Sequence, residues 1–151
     1  MGLHINQLPQ AVKDKLGLKD RTYKQFWAKI GDKDPIYFRS SWEFQYALFL
    51  EKLRREGKIT DFRHEPKCFW FENIKRGVRS YLPDFCVIHL DGSEEWCEVK
   101  GYYDSKSKTK MKRMAKYYPE VKIRLIGADW FKANGKACKA LIPILSQKIT
   151  N

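Results

Sequence analysis

The sequence predicts a mixed α/β domain, and three observations carry that prediction. They are a capped amphipathic helix beginning near Ser40, a run of β-type stretches over residues 59–100, and a basic helix over 105–118 followed by one more strand. Either Ser40 or Ser41 serves as N-cap, and Glu43 follows Ser40 at the spacing of a capping box. Trp42, Tyr46, Phe49, Leu50 and Leu53 then share one stripe, and Gly57 stands where a C′ glycine belongs. The β-type stretches cover 59–71, 78–90 and 94–100. Turns at 73–77 and at Asp91 and Gly92 separate them, and an Asp-Gly pair between β-rich runs signals a hairpin. In the basic helix Met111, Met114, Ala115 and Tyr118 are the inward candidates, and Pro119 ends it. Residues 121–126 alternate toward an apolar end and read as the last core strand.

The flanks read as additions to this core. Residues 1–35 form an N-terminal helical extension, with short helices over 8–16 and 21–30. Tyr23, Phe26, Trp27 and Ile30 fall on one helical face, and Gly31 caps its end. Residues 36–127 form the core. Residues 128–151 form a C-terminal extension packed on it, helical around Trp130 and Phe131 and apolar over 140–145.

A chain of 151 residues suits one domain of ordinary size, and 43% hydrophobic residues are enough for a real core. With 30 Lys and Arg against 18 Asp and Glu, the net charge of +12 points to a polyanionic partner, nucleic acid first. The lack of any long apolar run argues against a transmembrane helix, and the N-terminal residues lack a secretory pattern. The expected compartment is therefore the cytoplasm. Cys68, Cys86, Cys97 and Cys138 form no CxxC pair and read as reduced structural thiols.

The chemistry concentrates at Pro83-Asp84 and at Glu98-Val99-Lys100. Residues two apart on a strand share a face, so Glu98 and Lys100 project together, opposite Cys97 and Val99. Asp84, after Pro83, suits a strand start, and pairing through the Asp91-Gly92 turn brings it near Glu98. Two converging carboxylates repel unless a cation stands between them, and hard oxygen ligands favour Mg²⁺ or Mn²⁺ over zinc. The Lys100 ammonium beside such a cation suits phosphodiester hydrolysis, either by positioning a water or by stabilising developing charge. Plainer readings stand beside these: a capping carboxylate for Glu43, a strand-edge carboxylate for Asp84, and an exposed ion pair for Glu98 and Lys100. His64 reads as a structural histidine, and Phe69, Trp70 and Phe71 as core or interface.

Pro83-Asp84 followed by Glu98-x-Lys100 resembles the core signature of the PD-(D/E)xK nuclease superfamily. The wider pattern is Phe38-Arg39-Ser40-x-x-Glu43, Tyr81-x-Pro83-Asp84-Phe85 and Glu98-x-Lys100-Gly101. It is similar to the phage endonuclease I branch, whose members resolve Holliday junctions, and to transposon-end and some homing endonucleases. Over roughly residues 37–126 the resemblance implies a restriction-endonuclease-like core of helix, three strands, helix and strand, with a mixed central sheet and terminal helical additions. It implies that Asp84, Glu98 and the Val99 carbonyl hold Mg²⁺ or Mn²⁺, that Glu43 completes the cluster, and that Lys100 assists catalysis. The expected protein is a metal-dependent DNA endonuclease selective for branched DNA. It would work in a phage-infected or bacterial cell, as a homodimer or higher symmetric oligomer because two strands must be cut. Arg39, Ser40, Tyr102, Lys106, Lys108, Lys110, Lys112 and Arg113 are the candidate DNA contacts. A site-specific homing endonuclease of the same fold and a non-catalytic nucleic-acid-binding module are the alternatives.

Overall fold

Helix α1 (Ser41–Arg55) is the element around which the rest is laid, and its ends follow from its sequence. Ser40 is the N-cap, its Oγ accepting the Glu43 N–H at 3.1 Å. At the other end Gly57 takes φ +71°, so that its N–H reaches the Arg54 carbonyl while the Lys58 N–H reaches that of Leu53. These paired bonds form a Schellman motif, which needs a left-handed residue and hence favours glycine. The computed structural model describes residues 25–149.

Two sheets and a further helix cover α1. The larger sheet has the order β3-β6-β7-β8, built from β3 (Asp61–His64), β6 (Phe85–Ile88), β7 (Glu94–Val99) and β8 (Ile123–Ile126). The first two pairings are antiparallel and β7–β8 is parallel, with helix α2 (Ser105–Tyr117) as the crossover. The expected mixed sheet is therefore present. A two-stranded ribbon, β4 (Phe69–Trp70) with β5 (Ser80–Tyr81), stands beside it.

The sheet separates two apolar clusters. Phe62, Phe85, Val87, Cys97 and Ile126 pack toward α1, whereas Cys86 and Trp96 pack with Phe69, Phe71, Tyr81 and Met114 of the ribbon and α2. That division follows the two-residue alternation of strands. It also accounts for the cysteines: Cys86, Cys97 and Cys138 are buried free thiols, and Cys97 lies 3.6 Å from the Tyr46 hydroxyl.

The flanks differ from the helical extension expected for 1–35. Residues 26–30 form a strand, β1 (Phe26–Ile30), hairpinned to β2 (Ile36–Phe38). Residues 8–16 and 21–24 lie outside the described part. Ala28 and Ile30 are fully buried and Phe26 half-buried, while Trp27 and Lys29 face out, a period of two that the aromatic spacing had disguised as a helical stripe. The C-terminal segment supplies α3 (Ala128–Ala140), a short α4 (Ile142–Leu145) and β9 (Ser146–Ile149). Strand β9 pairs antiparallel with β1, giving a second sheet of order β2-β1-β9. The boundary at residue 35 thus cuts through a hairpin, and β1 and β9, from the two flanks, belong to one layer over α1.

That layer explains why α1 is buried nearly all round, with Phe44, Gln45, Tyr46, Ala47, Leu48, Leu50 and Glu51 inside, in place of a single stripe. Trp42 stacks on Phe131 of α3 with centroids 4.4 Å apart. Ala115 also departs from expectation, facing solvent on α2, while Met114 is buried. Among the described residues no helix is long and apolar enough to cross a membrane.

Candidate active site

Three carboxylates from separate elements meet at one end of the larger sheet. The expected strand over 78–90 breaks at Pro83, which has no N–H to offer a ladder. Asp84 occupies the break between β5 and β6, and its backbone carbonyl accepts the Glu65 N–H at 2.9 Å. Its carboxylate Oδ2 accepts the Val99 N–H at 2.7 Å, fastening β7 to the break. Glu98, near the end of β7, accepts the Tyr81 hydroxyl at 2.8 Å. Glu43 comes from the first turn of α1, 6% exposed, and its Oε2 accepts the Arg39 N–H at 3.0 Å. That bond reaches one residue beyond the cap, a wider version of the expected capping box.

The cluster is electrostatically short of positive charge. Burial, then the charges of Glu98 and Glu43, push the Asp84 carboxyl up to about 9; a hydrogen bond shared with Glu43 acts the same way and the Val99 N–H opposes it. Burial also raises Glu98, with Glu43 adding, against the Tyr81 hydroxyl and the charges of Lys100 and Lys110. Carboxylates crowded in low dielectric take up protons unless a cation joins them.

Among the described residues, two buried side-chain atoms have no hydrogen-bond partner, His64 Nε2 and Tyr103 Oη, and both belong to residues beside this cluster. Orphaned buried polar atoms are uncommon in folded proteins and call for an explanation. Burial and then Glu98 push the Tyr103 hydroxyl up to about 12, which keeps it a donor. His64 packs against the rings of Phe38 and Phe85, and burial holds its imidazole below the ordinary value. Glu65 and Glu43 oppose that shift, and Arg39 adds to it. Ligand atoms of Glu43, His64 and Glu65 all lie within 4.8 Å of one another. The sequence reading set His64 aside and gave no part to Glu65 or the Tyr81 hydroxyl. The β3–β6 register, which sets His64 opposite Phe85 beside Asp84, is what brings His64 in.

The candidate DNA contacts divide. Tyr102 is 77% exposed, and Lys106, Lys108 and Lys112 stand free on α2. Lys110 is half-buried, near enough for its charge to act on Glu98. Arg113 donates to the Val78 carbonyl and so ties α2 to the ribbon. Ser40 is engaged as the cap, and Arg39 pairs with Glu65 at 3.5 Å while remaining largely exposed.

The model of a protein family of unknown function, DUF1064, matches residues 23–140. The chain belongs to the DUF1064 family. No curated protein matches it. The match runs from before β1 to the end of α3, so every carboxylate of the cluster, Lys100 and all of α2 lie inside the DUF1064 region, and among the described elements only α4 and β9 fall beyond it.

Proposed function

We propose that this chain is a divalent-metal-dependent endonuclease of the PD-(D/E)xK type, acting on branched DNA. The observation that carries the reading is the convergence of buried Glu43 with half-buried Asp84 and Glu98 beside Lys100, in a chain of net charge +12. The donor set is all oxygen, and Glu43 raises the proton affinity of both Asp84 and Glu98, which fits Mg²⁺ or Mn²⁺ held by Asp84, Glu98, the Val99 carbonyl and Glu43. A bound ion of that kind supplies Lewis acidity and a more acidic water.

The protein's own groups would do the rest. Tyr81 fixes Glu98, the Val99 N–H fixes Asp84, and Arg39 N–H fixes Glu43, so each carboxylate is oriented before substrate arrives. The Lys100 ammonium would lie against a phosphate oxygen, and the Tyr103 hydroxyl is a second donor in want of a partner. Lys106, Lys108 and Lys112 would grip the backbone of the DNA without reading its sequence. Cutting both strands calls for two such sites, hence a symmetric pair of chains.

The test is cleavage of a four-way junction, random linear duplex and single strands, with Mg²⁺, with Mn²⁺ and with chelator. Cation-dependent cutting that favours the junction, and that disappears in Asp84→Ala, Glu98→Ala and Lys100→Ala, supports the proposal. A single cut site in linear duplex points to site-specific cleavage instead. Tight binding with no cleavage under any cation overturns the enzyme reading.

A further inference from the structure

Immediately beyond Glu98 lies a cavity that shares Lys100 with the candidate active site. It measures about 530 Å³ and is lined chiefly by Ser40, Trp42, Lys100, Gly101, Tyr102 and Asp104. That is the size range of pockets that take a small organic ligand. One wall is stiff, because the Trp42 indole lies almost parallel to the Phe131 ring. The chain runs hard against this wall at Gly101, where an added Cβ would stand 2.9 Å from the indole. Tyr102, next along, leaves 77% of its surface in water beside the cavity. Asp104 Oδ1 is occupied by the Ser107 N–H and hydroxyl, while Lys100 carries the lining's positive charge. The cavity thus joins aromatic surface to the Lys100 ammonium, with the Asp104 carboxylate, the N-cap of α2, as the one anion of its lining.

We infer that this cavity receives a single unpaired nucleotide of a DNA strand, its base against Tyr102 and Trp42 and its phosphate toward Lys100. The inference rests on the nuclease proposal for the presence of DNA and adds the subsite that holds it. A base inside a duplex has both faces covered by its neighbours, so aromatic surface serves only a base that has left the stack. Lys100 follows Glu98 by two residues, about 7 Å along an extended chain, which places the captured nucleotide beside the bond that reaches the carboxylates. Unpaired nucleotides occur where strands exchange partners or fray. A pocket for one therefore turns the shape of a junction into a binding preference, without any base being read.

The test is an abasic scan. Affinity is measured by fluorescence anisotropy on a labelled single-stranded deoxyoligonucleotide of about 12 nucleotides, with chelator present, moving one abasic position along it. Loss of one stacked base is expected to weaken binding by about tenfold at a single position. Tyr102→Ala should show a similar loss on the intact strand and no further penalty at that position, whereas Tyr102→Phe should keep the penalty. A wild-type protein indifferent to every abasic position, or Tyr102→Ala retaining the full penalty, overturns the pocket. Cleavage with Mg²⁺ is measured separately. Cleavage without the abasic signature leaves the nuclease and removes the subsite; the signature without cleavage does the reverse.

Discussion

Tyr81 donates its hydroxyl to the carboxylate of Glu98 across 2.8 Å, joining a two-residue strand to the candidate metal ligand on β7. The phenol is almost completely buried and packs within the second apolar cluster. Its replacement by Phe should leave packing intact and remove only the bond. The expected result is a loss of about tenfold or more in apparent Mg²⁺ affinity or cleavage rate, as for other groups that orient a metal ligand. Measuring rate against Mg²⁺ concentration checks it; an unchanged curve would show that Glu98 is oriented by other means.

Asp84→Asn should separate stability from function. The amide oxygen can still accept the Val99 N–H, while the repulsion among Asp84, Glu98 and Glu43 is relieved. Without metal the variant is expected to melt a few degrees above wild type, since each 1 kcal/mol shifts a melting point by about 2–4 °C in a domain of this size. Added Mn²⁺ should raise the wild-type Tm and leave the variant unmoved, with cleavage abolished. Calorimetric scans with and without Mn²⁺ decide the matter.

Gly31→Ala should be costly at a position far from the site. Gly31 has φ +54°, and a Cβ there would stand 2.4 Å from Oε1 of the buried Glu51. The left-handed backbone alone costs about 1–2 kcal/mol for a residue with a Cβ. Displacement of Glu51 from Arg54 and Arg55, which it accepts at 2.7–3.0 Å, adds to that cost. The urea midpoint should fall without a change in slope.

The same triad sets an acid dependence. Burial would raise the Glu51 carboxyl, but the Arg54 and Arg55 guanidiniums outweigh it and hold the group below its ordinary 4.5. A depressed carboxyl contributes stability that is fully present above the unfolded value and is lost as pH falls through the folded one. The gap between the urea midpoints of wild type and Glu51→Gln should therefore be widest at neutral pH and narrow as pH falls below the ordinary 4.5. A gap that stays constant to pH 3 would contradict the assignment.

Binding of DNA should follow the charges that stand free. Lys108→Gln and Lys112→Gln are each expected to reduce the slope of log K against log salt by about 1. Arg113→Gln should chiefly destabilise the fold, since its guanidinium serves the Val78 carbonyl. Salt titrations of binding, beside urea curves for the same variants, distinguish the two effects.

The parts legible in the sequence were those set by local rules. Ser40, Gly57 and Pro119 mark their boundaries through capping, left-handed φ and a missing N–H group. The alternation along β7 put Cys97 in the core opposite Glu98. What was not legible depended on pairings distant in sequence. β1 looks helical until Ala28 and Ile30 have a partner layer, and that layer is completed by β9. His64 reads as a structural residue until β3 is set in register beside Asp84. The Ala115 and Lys110 exposures turn on the exact rotation of α2, which a helical pattern fixes only within a residue or so.

The β1–β9 pairing sets residue 27 beside residue 149, so the chain closes on itself like a clasp. During synthesis β1 emerges early and must wait, paired only with β2, until nearly all of the described chain has followed. Contacts so far apart in sequence form late and slowly. Until then β1 is an open edge and one side of α1 lacks its cover, so the nascent domain would carry its carboxylates before it carried the layer that holds α1 beneath them. A chain cut before Ser146 would remain in that state, with an apolar edge strand free to pair with another molecule.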